Sequence, residues 1–211
     1  MPQKKNKSRK TIMVSSSVYG QEELLRRIFD LLTQFGYDVW MSYMGTIPTH
    51  ANENSLDSCL RAVDNCDLFL GIVTPYYGTT KGTDGEISAT HEEMRKAIKL
   101  KKPRWFLVDD RVIFARQLLN KISLKTSPKQ KLRRSELQLD LKGQFDIQSI
   151  DLYEEVTEKH VDNARLTKVK WVQPYIAPED ATRFVSAQFR RYQDVEQLIK
   201  DWFKMGVRHD K

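Results

Sequence analysis

Short β-prone apolar runs alternate along this chain with stretches in which apolar residues recur at helical spacing. Thr11-Ile-Met-Val14 is the first run and reads as a buried strand that ends in Ser15-Ser16-Ser17. Leu24, Leu25, Ile28, Leu31, Leu32 and Phe35 then mark one face of a helix, with Glu22, Glu23, Arg26 and Arg27 opposite. Gly36 stops that helix because it can adopt the left-handed conformation of a C-terminal cap. Tyr37–Met41 supplies a second strand. After a polar loop, Leu56, Cys59, Leu60 and Val63 mark a second helix, which runs into the strand Leu68–Val73. Pro75 and Gly78 punctuate the exit.

Ser88 or Thr90 caps a third helix, and Thr90 with Glu93 has capping-box spacing. Met94, Ala97, Ile98 and the aliphatic stem of Lys101 form its inward stripe, and Pro103 ends it before the strand Arg104–Val108. This strand and helix alternation with short connections predicts a parallel α/β sheet covered by helices on both faces.

Beyond Asp110 the rhythm breaks. Val112, Phe114, Ala115, Leu118, Leu119 and Ile122 predict a helix, whereas 123–134 is basic, interrupted by Pro128, and reads as an exposed loop. Ile147, Ile150, Leu152, Tyr153 and Val156 predict another helix over 147–161. Lys170–Tyr175 is a candidate strand, confined to an edge or a strand end by Pro174. Helices over 181–192 and around Val195–Phe203 follow. The expected organisation is a basic disordered tail (1–10), an α/β core (11–109), an insertion (110–169), and a C-terminal strand with helices packing on the core (170–211).

Composition changes this picture little. The chain has 211 residues, enough for one substantial core, and its formal charge of +7 includes Lys4, Lys5, Lys7, Arg9 and Lys10 in the first ten positions. The folded part is therefore only slightly basic, which disfavours nucleic acid as a partner, since phosphate binding needs cations gathered on one folded face. Two cysteines, Cys59 and Cys66, fit neither a disulfide framework nor a zinc pattern, and no metal site is expected. No apolar stretch has the length of a membrane span or a signal-peptide core, so the expected location is the cytoplasm.

In an open parallel sheet, the loops leaving the C-terminal strand ends form the ligand crevice. Ser15, Ser16 and Ser17 follow the first strand, Trp40 and Tyr43 the second, and Tyr76 and Tyr77 the third; Glu93 lies in the first turns of the next helix. Hydroxyls and helix-terminal amides suit phosphate or ribose. Aromatic faces suit a base, and a carboxylate suits a ribose diol or positive charge developing at a glycosidic carbon. Each also has a structural explanation: the serines as turn and cap, the aromatics as core, Glu93 as a capping carboxylate, His91 as a surface residue, and Asp109-Asp110 as an exposed turn. No P-loop, nucleophile elbow, zinc-protease helix or complete dinucleotide glycine fingerprint occurs.

Val14-Ser-Ser-Ser17, the stretch Cys59–Val73, Tyr77-Gly78 and Ser88–Ala97 before Pro103 together resemble the bacterial domain of unknown function family numbered four thousand and sixty-two, a TIR-like family. The resemblance covers Thr11–Val108 best, with Trp171–Tyr175 and Asp180–Phe184 resembling its extensions less specifically. It implies a flavodoxin-like, TIR-like parallel sheet with a mainly helical C-terminal extension, related to nucleoside deoxyribosyltransferases. It also implies a catalytic glutamate four residues before a small residue, the spacing of Glu93 and Ala97. In NAD-cleaving relatives that glutamate engages the nicotinamide ribose as the glycosidic bond breaks. Met94 stands where an aromatic is common, and Ser17-Val18 where Thr-Phe is usual. Two functions follow as expectations. One is an intracellular signalling or defence protein that cleaves NAD, or a related nucleotide, as substrate. The other is a non-enzymatic module that senses a nucleotide, self-associates or binds a protein partner. Neither calls for a resident cofactor.

Overall fold

The computed structural model describes residues 9–80, 87–123, 143–157 and 171–192, together with 194 and 196. Five strands pair in parallel: β1 (Thr11–Ser16), β2 (Asp38–Trp40), β3 (Leu68–Val73), β4 (Arg104–Asp109) and β5 (Trp171–Tyr175). Their spatial order is β2-β1-β3-β4-β5, the flavodoxin-like arrangement. Between them run α1 (Glu22–Gln34), α2 (Ser55–Asn65), α3 (Ala89–Lys99), α4 (Asp110–Ser123) and α5 (Gln148–Thr157), with α6 (Pro178–Phe189) after β5. None of the described helices is long and apolar enough to cross a membrane.

The pleat sorts the core into two layers. Along β3, Leu68, Leu70 and Ile72 face α1 and α6, where Leu24, Leu25, Ile28, Leu32, Val185 and Phe189 meet them. Phe69 and Val73 point the other way, toward Cys59 and Val63 of α2, Met94 and Ala97 of α3, and Leu152 and Val156 of α5. Because helices cover both faces, every residue of β3 is buried. Gly71 opens the second layer: a Cβ there would lie 2.6 Å from Cδ1 of Phe106 and 3.1 Å from Cε of Met94, so its missing side chain is what lets α3 approach the sheet. Pro174 lies within β5, which is an edge strand as Pro174 requires.

Helix ends follow their local chemistry, with one exception. Past α1, Gly36 has φ +87°, the Tyr37 N–H donates to Leu32 O, and the Gly36 N–H donates to Thr33 O, which completes a Schellman cap. Past α3 the same left-handed position is taken by Lys101, at φ 54°. Lys101 is exposed there, not part of the inward stripe. Lys102 does the fastening instead, its ammonium donating to Asp64 O and Cys66 O at the end of α2. A left-handed non-glycine residue costs about 1–2 kcal/mol, partly offset by the extra unfolded-state entropy that glycine brings, about 0.5–1 kcal/mol. Lys101→Gly is therefore expected to raise unfolding free energy by about 0.5–1 kcal/mol in urea denaturation, while Lys99→Gly, inside the helix, lowers it.

A further expectation about a face is corrected. Helix α2 buries Ser58, Cys59, Ala62 and Val63 and leaves Leu56 and Leu60 half-buried, because small residues let it lie close to α3 and the sheet. The predicted helix 147–161 appears as α5, with Ile150, Leu152 and Val156 buried. The basic tail up to Ser8, the loop 124–134 and most of the final predicted helix lie outside the described residues. Lys10, placed in the tail by sequence, is ordered at the start of the sheet: its carbonyl accepts from the Asp38 N–H and its ammonium lies 3.6 Å from Asp67.

Candidate functional site

Strand order reverses between β1 and β3: β2 lies to one side of β1, and β3 and its successors lie to the other. The loops leaving β1 and β3 diverge there and open a crevice. A cavity of about 480 Å³ occupies it. Ser16 and Ser17 from the end of β1, and Thr79 and Thr90, bring hydroxyls to its wall. Tyr19 and Tyr76 bring rings packed edge to face, centroids 4.7 Å apart. The first turn of α3 reaches the wall at Ala89 and Thr90, and Gly143 and Asp146 close the outer side.

The loop after β3 is held by short polar contacts. Thr74 donates its hydroxyl proton to Tyr76 O at 2.9 Å and accepts from the Tyr76 N–H at 3.1 Å. Its proton being so directed, the 2.6 Å contact between the Ser17 and Thr74 hydroxyls has Ser17 as donor. Gly78 has φ +91°, which carries the chain past Ser17. Ser88 caps α3, its hydroxyl accepting from the His91 N–H, so neither Thr90 nor Glu93 performs that task.

Glu93 and Ser15 meet on the α2/α3 side of the sheet. Ser15 donates to Oε2 of Glu93 at 2.5 Å, and both side chains are buried. Glu93 lies three residues past Thr90, hence on the same side of α3, one turn deeper than the cavity wall. Burial pushes its carboxyl above the ordinary range, and hydrogen bonds from Ser15 and Cys59 oppose that only in part. Cys59 is pushed up to about 12, chiefly by burial and then by the Glu93 charge, so its thiol stays protonated and unreactive. Glu93 is therefore a buried acid whose proton is retained to a higher pH than that of an exposed glutamate.

The other sequence-selected residues divide. Ser16, Ser17 and Tyr76 share the cavity wall. Trp40 stands opposite Met13 in the sheet and packs into the layer beneath α2 and α3, while Tyr43 packs on the α1 layer with the Arg26 guanidinium 5.6 Å from its ring centre. Tyr77 is buried, its hydroxyl 2.5 Å from Nδ1 of His91. His91 is not a surface residue: it is 4% exposed, and its Nε2 lies 2.9 Å from Oε2 of Glu155 on α5. Because a carboxylate accepts, the Nε2–H of His91 donates to Glu155, which leaves Nδ1 to accept the Tyr77 proton in the neutral ring. Arg95 clamps both Glu155 oxygens, at 2.7 and 2.6 Å, and holds that carboxyl down at about 2. Asp109, read by sequence as part of an exposed turn, is also buried, and Arg111 grips both its oxygens.

Tyr19, Thr79, Thr90, Gly143 and Asp146 were missed. Tyr19 and Thr79 sit in the loops already in view, two and one residues past Ser17 and Gly78, and could have been found there. Asp146 had no local signal, because its partners lie about seventy residues earlier: it accepts from the Tyr77 N–H through Oδ2 at 2.8 Å, and its own N–H donates to Pro75 O at 2.8 Å.

No curated protein matches the chain in sequence. Among solved structures, the CMP N-glycosidase BcmB of Clostridium botulinum overlaps with a TM-score of 0.33 and 19% identity, over 52% of this chain and 80% of that one. The model of the family described as Domain of unknown function (DUF4062) matches residues 11–188, and the chain belongs to that family.

Proposed function

We propose that this protein is a TIR-like intracellular signalling or defence protein that binds a nucleotide-type ligand in the cavity between β1 and β3. The make-up of that cavity carries the reading: four hydroxyl side chains, the first turn of a helix and two tyrosine rings line a space of about 480 Å³ at a topological switch point. Ligand pockets commonly span roughly 300–1,000 Å³, so a nucleotide's ribose and base fit. The hydroxyls match ribose, and the Tyr76 ring matches a base face.

A second reading, cleavage of the N-glycosidic bond of NAD or a related nucleotide, is favoured by the buried Glu93. Here the C1′–N bond of NAD breaks, its electron pair leaves with neutral nicotinamide, the Glu93 carboxylate supports the cation at C1′, and water adds its oxygen at C1′ and releases one proton to solvent. Glu93 must then turn from Ser15 toward the ligand. The competing possibility is a module that binds and does not turn over.

Calorimetric titration with NAD, ADP-ribose and nucleoside monophosphates tests the binding reading, and chromatography for released nicotinamide tests the chemistry. Tyr76→Ala is expected to weaken binding by roughly 5–150-fold, the equivalent of about 1–3 kcal/mol for a base stacked on an aromatic ring. Absence of binding by any of these compounds at millimolar concentration sinks the proposal. Binding without nicotinamide release, under crowding that promotes assembly as well as in dilute solution, leaves the module.

A further inference from the structure

Among the described residues, the cavity wall carries one acidic side chain, Asp146, and no basic one. Asp146 enters from the chain that precedes α5, and its placement is fixed twice. Its backbone N–H is held by Pro75 O, and its carboxylate is held through Oδ2 by the Tyr77 N–H. Among the described residues, Oδ1 has no hydrogen-bond partner. The segment behind it is also anchored, since Glu155 on α5 is gripped by His91 and Arg95 of α3. A half-buried carboxylate with one oxygen tied back and one free, on a wall of neutral hydroxyls, is a strong acceptor with a set direction.

We infer that Asp146 is a specificity-determining residue that accepts a hydrogen bond from the ribose 2′-hydroxyl of the ligand, so that the cavity selects ribonucleosides over 2′-deoxyribonucleosides. The inference rests on the nucleotide reading above. It sets the ligand's direction as well: the nucleoside end lies beside Asp146, and an anionic phosphate, which the carboxylate repels, points away from it. A site built to pair with a hydroxyl penalises the analogue that lacks it, because the acceptor is then left desolvated and unpaired.

The test is a competition between matched pairs. Adenosine, cytidine, guanosine, uridine and nicotinamide riboside are each titrated against their 2′-deoxy counterparts, on wild type, Asp146→Asn and Asp146→Ser. Both variants keep an oxygen that can accept from the Tyr77 N–H, and both keep the backbone bond to Pro75; melting curves check that the fold persists. Wild type is expected to bind at least one ribonucleoside about tenfold or more tightly than its 2′-deoxy form, as a hydrogen bond to a charged acceptor would give. That ratio should fall in Asp146→Asn, whose outward amide nitrogen can give the 2′-hydroxyl only a neutral hydrogen bond, and should fall to near one in Asp146→Ser, whose single oxygen is tied to the Tyr77 N–H. A wild-type ratio near one, or a ratio that survives both substitutions, overturns the role of Asp146 while leaving nucleotide binding intact. Absence of binding by every compound overturns both.

Discussion

Glu93→Gln is expected to make the protein more stable than wild type at pH 7 and to lower any N-glycosidic turnover by about 10²–10³-fold, the usual contribution of one group that stabilises developing charge. The stability change follows from linkage. Glu93 titrates near 4.5 when unfolded and higher when folded, so the native state binds more protons. Its contribution is fully present below pH 4.5 and is lost as pH rises through the folded value. An amide has no such loss. The difference between the two urea-denaturation curves should thus be small below pH 4.5 and grow in favour of Gln above it. Comparing the two proteins cancels every other titrating group, and Cys59, which also touches Glu93, stays neutral across this range. Glu53 and Glu155, held down at about 2, lose their contribution only at pH below the ordinary carboxyl value, in a separate window. A variant less stable than wild type by the same amount at every pH would mean that Glu93 is a structural hydrogen-bond acceptor and nothing more.

Gly71→Val should be the most damaging single change in the sheet, with a loss of about 3 kcal/mol or more, at the upper end of overpacking costs. The Phe106 ring would lie 2.6 Å from the new Cβ and is itself fully buried, so neither it nor the central strand has room to yield. Relief has to come from α3, whose Met94 is the other neighbour. Glu93 adjoins Met94, and Ser15 stands opposite Gly71 in the sheet, so the same displacement pulls the Ser15–Glu93 pair apart. Denaturant midpoints should therefore fall, and the pH dependence assigned to Glu93 should flatten. A loss below about 1 kcal/mol in Gly71→Val would show that the second layer is more compliant than this packing implies.

The elements up to β4 were legible because their residues answer to local rules. The apolar runs of β1, β3 and β4, the stripe Leu24, Leu25, Ile28 and Leu32, and the Gly36 stop all express a period or a backbone preference. Local rules fail where a partner arrives from far along the chain. His91 looks like a first-turn surface residue until Glu155, 64 residues later, packs against it. Asp146 is one acid among many until it meets the loop after β3. Trp40 and Tyr43 were grouped because they follow one strand, yet they pack in different layers, one below α2 and α3 and the other beside α1. Leu56 and Leu60 lost their places on α2 to smaller neighbours because closeness to α3, not hydrophobicity, sets which side turns inward.

The bridge from Asp146 to Pro75 and Tyr77 has a kinetic side. It closes a loop of about seventy residues, and the pairing of Glu155 with His91 spans nearly as many. Loop closure of that size has an entropic cost that only a preformed docking surface can repay, so β3 and α3 must be in place before α5 can settle. The cavity's outer wall is in that sense a late arrival in folding: exposed Gly143 and half-buried Asp146 reach the finished sheet through polar contacts, while α5 behind them is set in the core by Leu152 and Val156. Stretches of that kind occupy the low end of local opening free energies. The short stretch before α5 can therefore unlatch while the strands that end at Ser16 and Val73 stay shut.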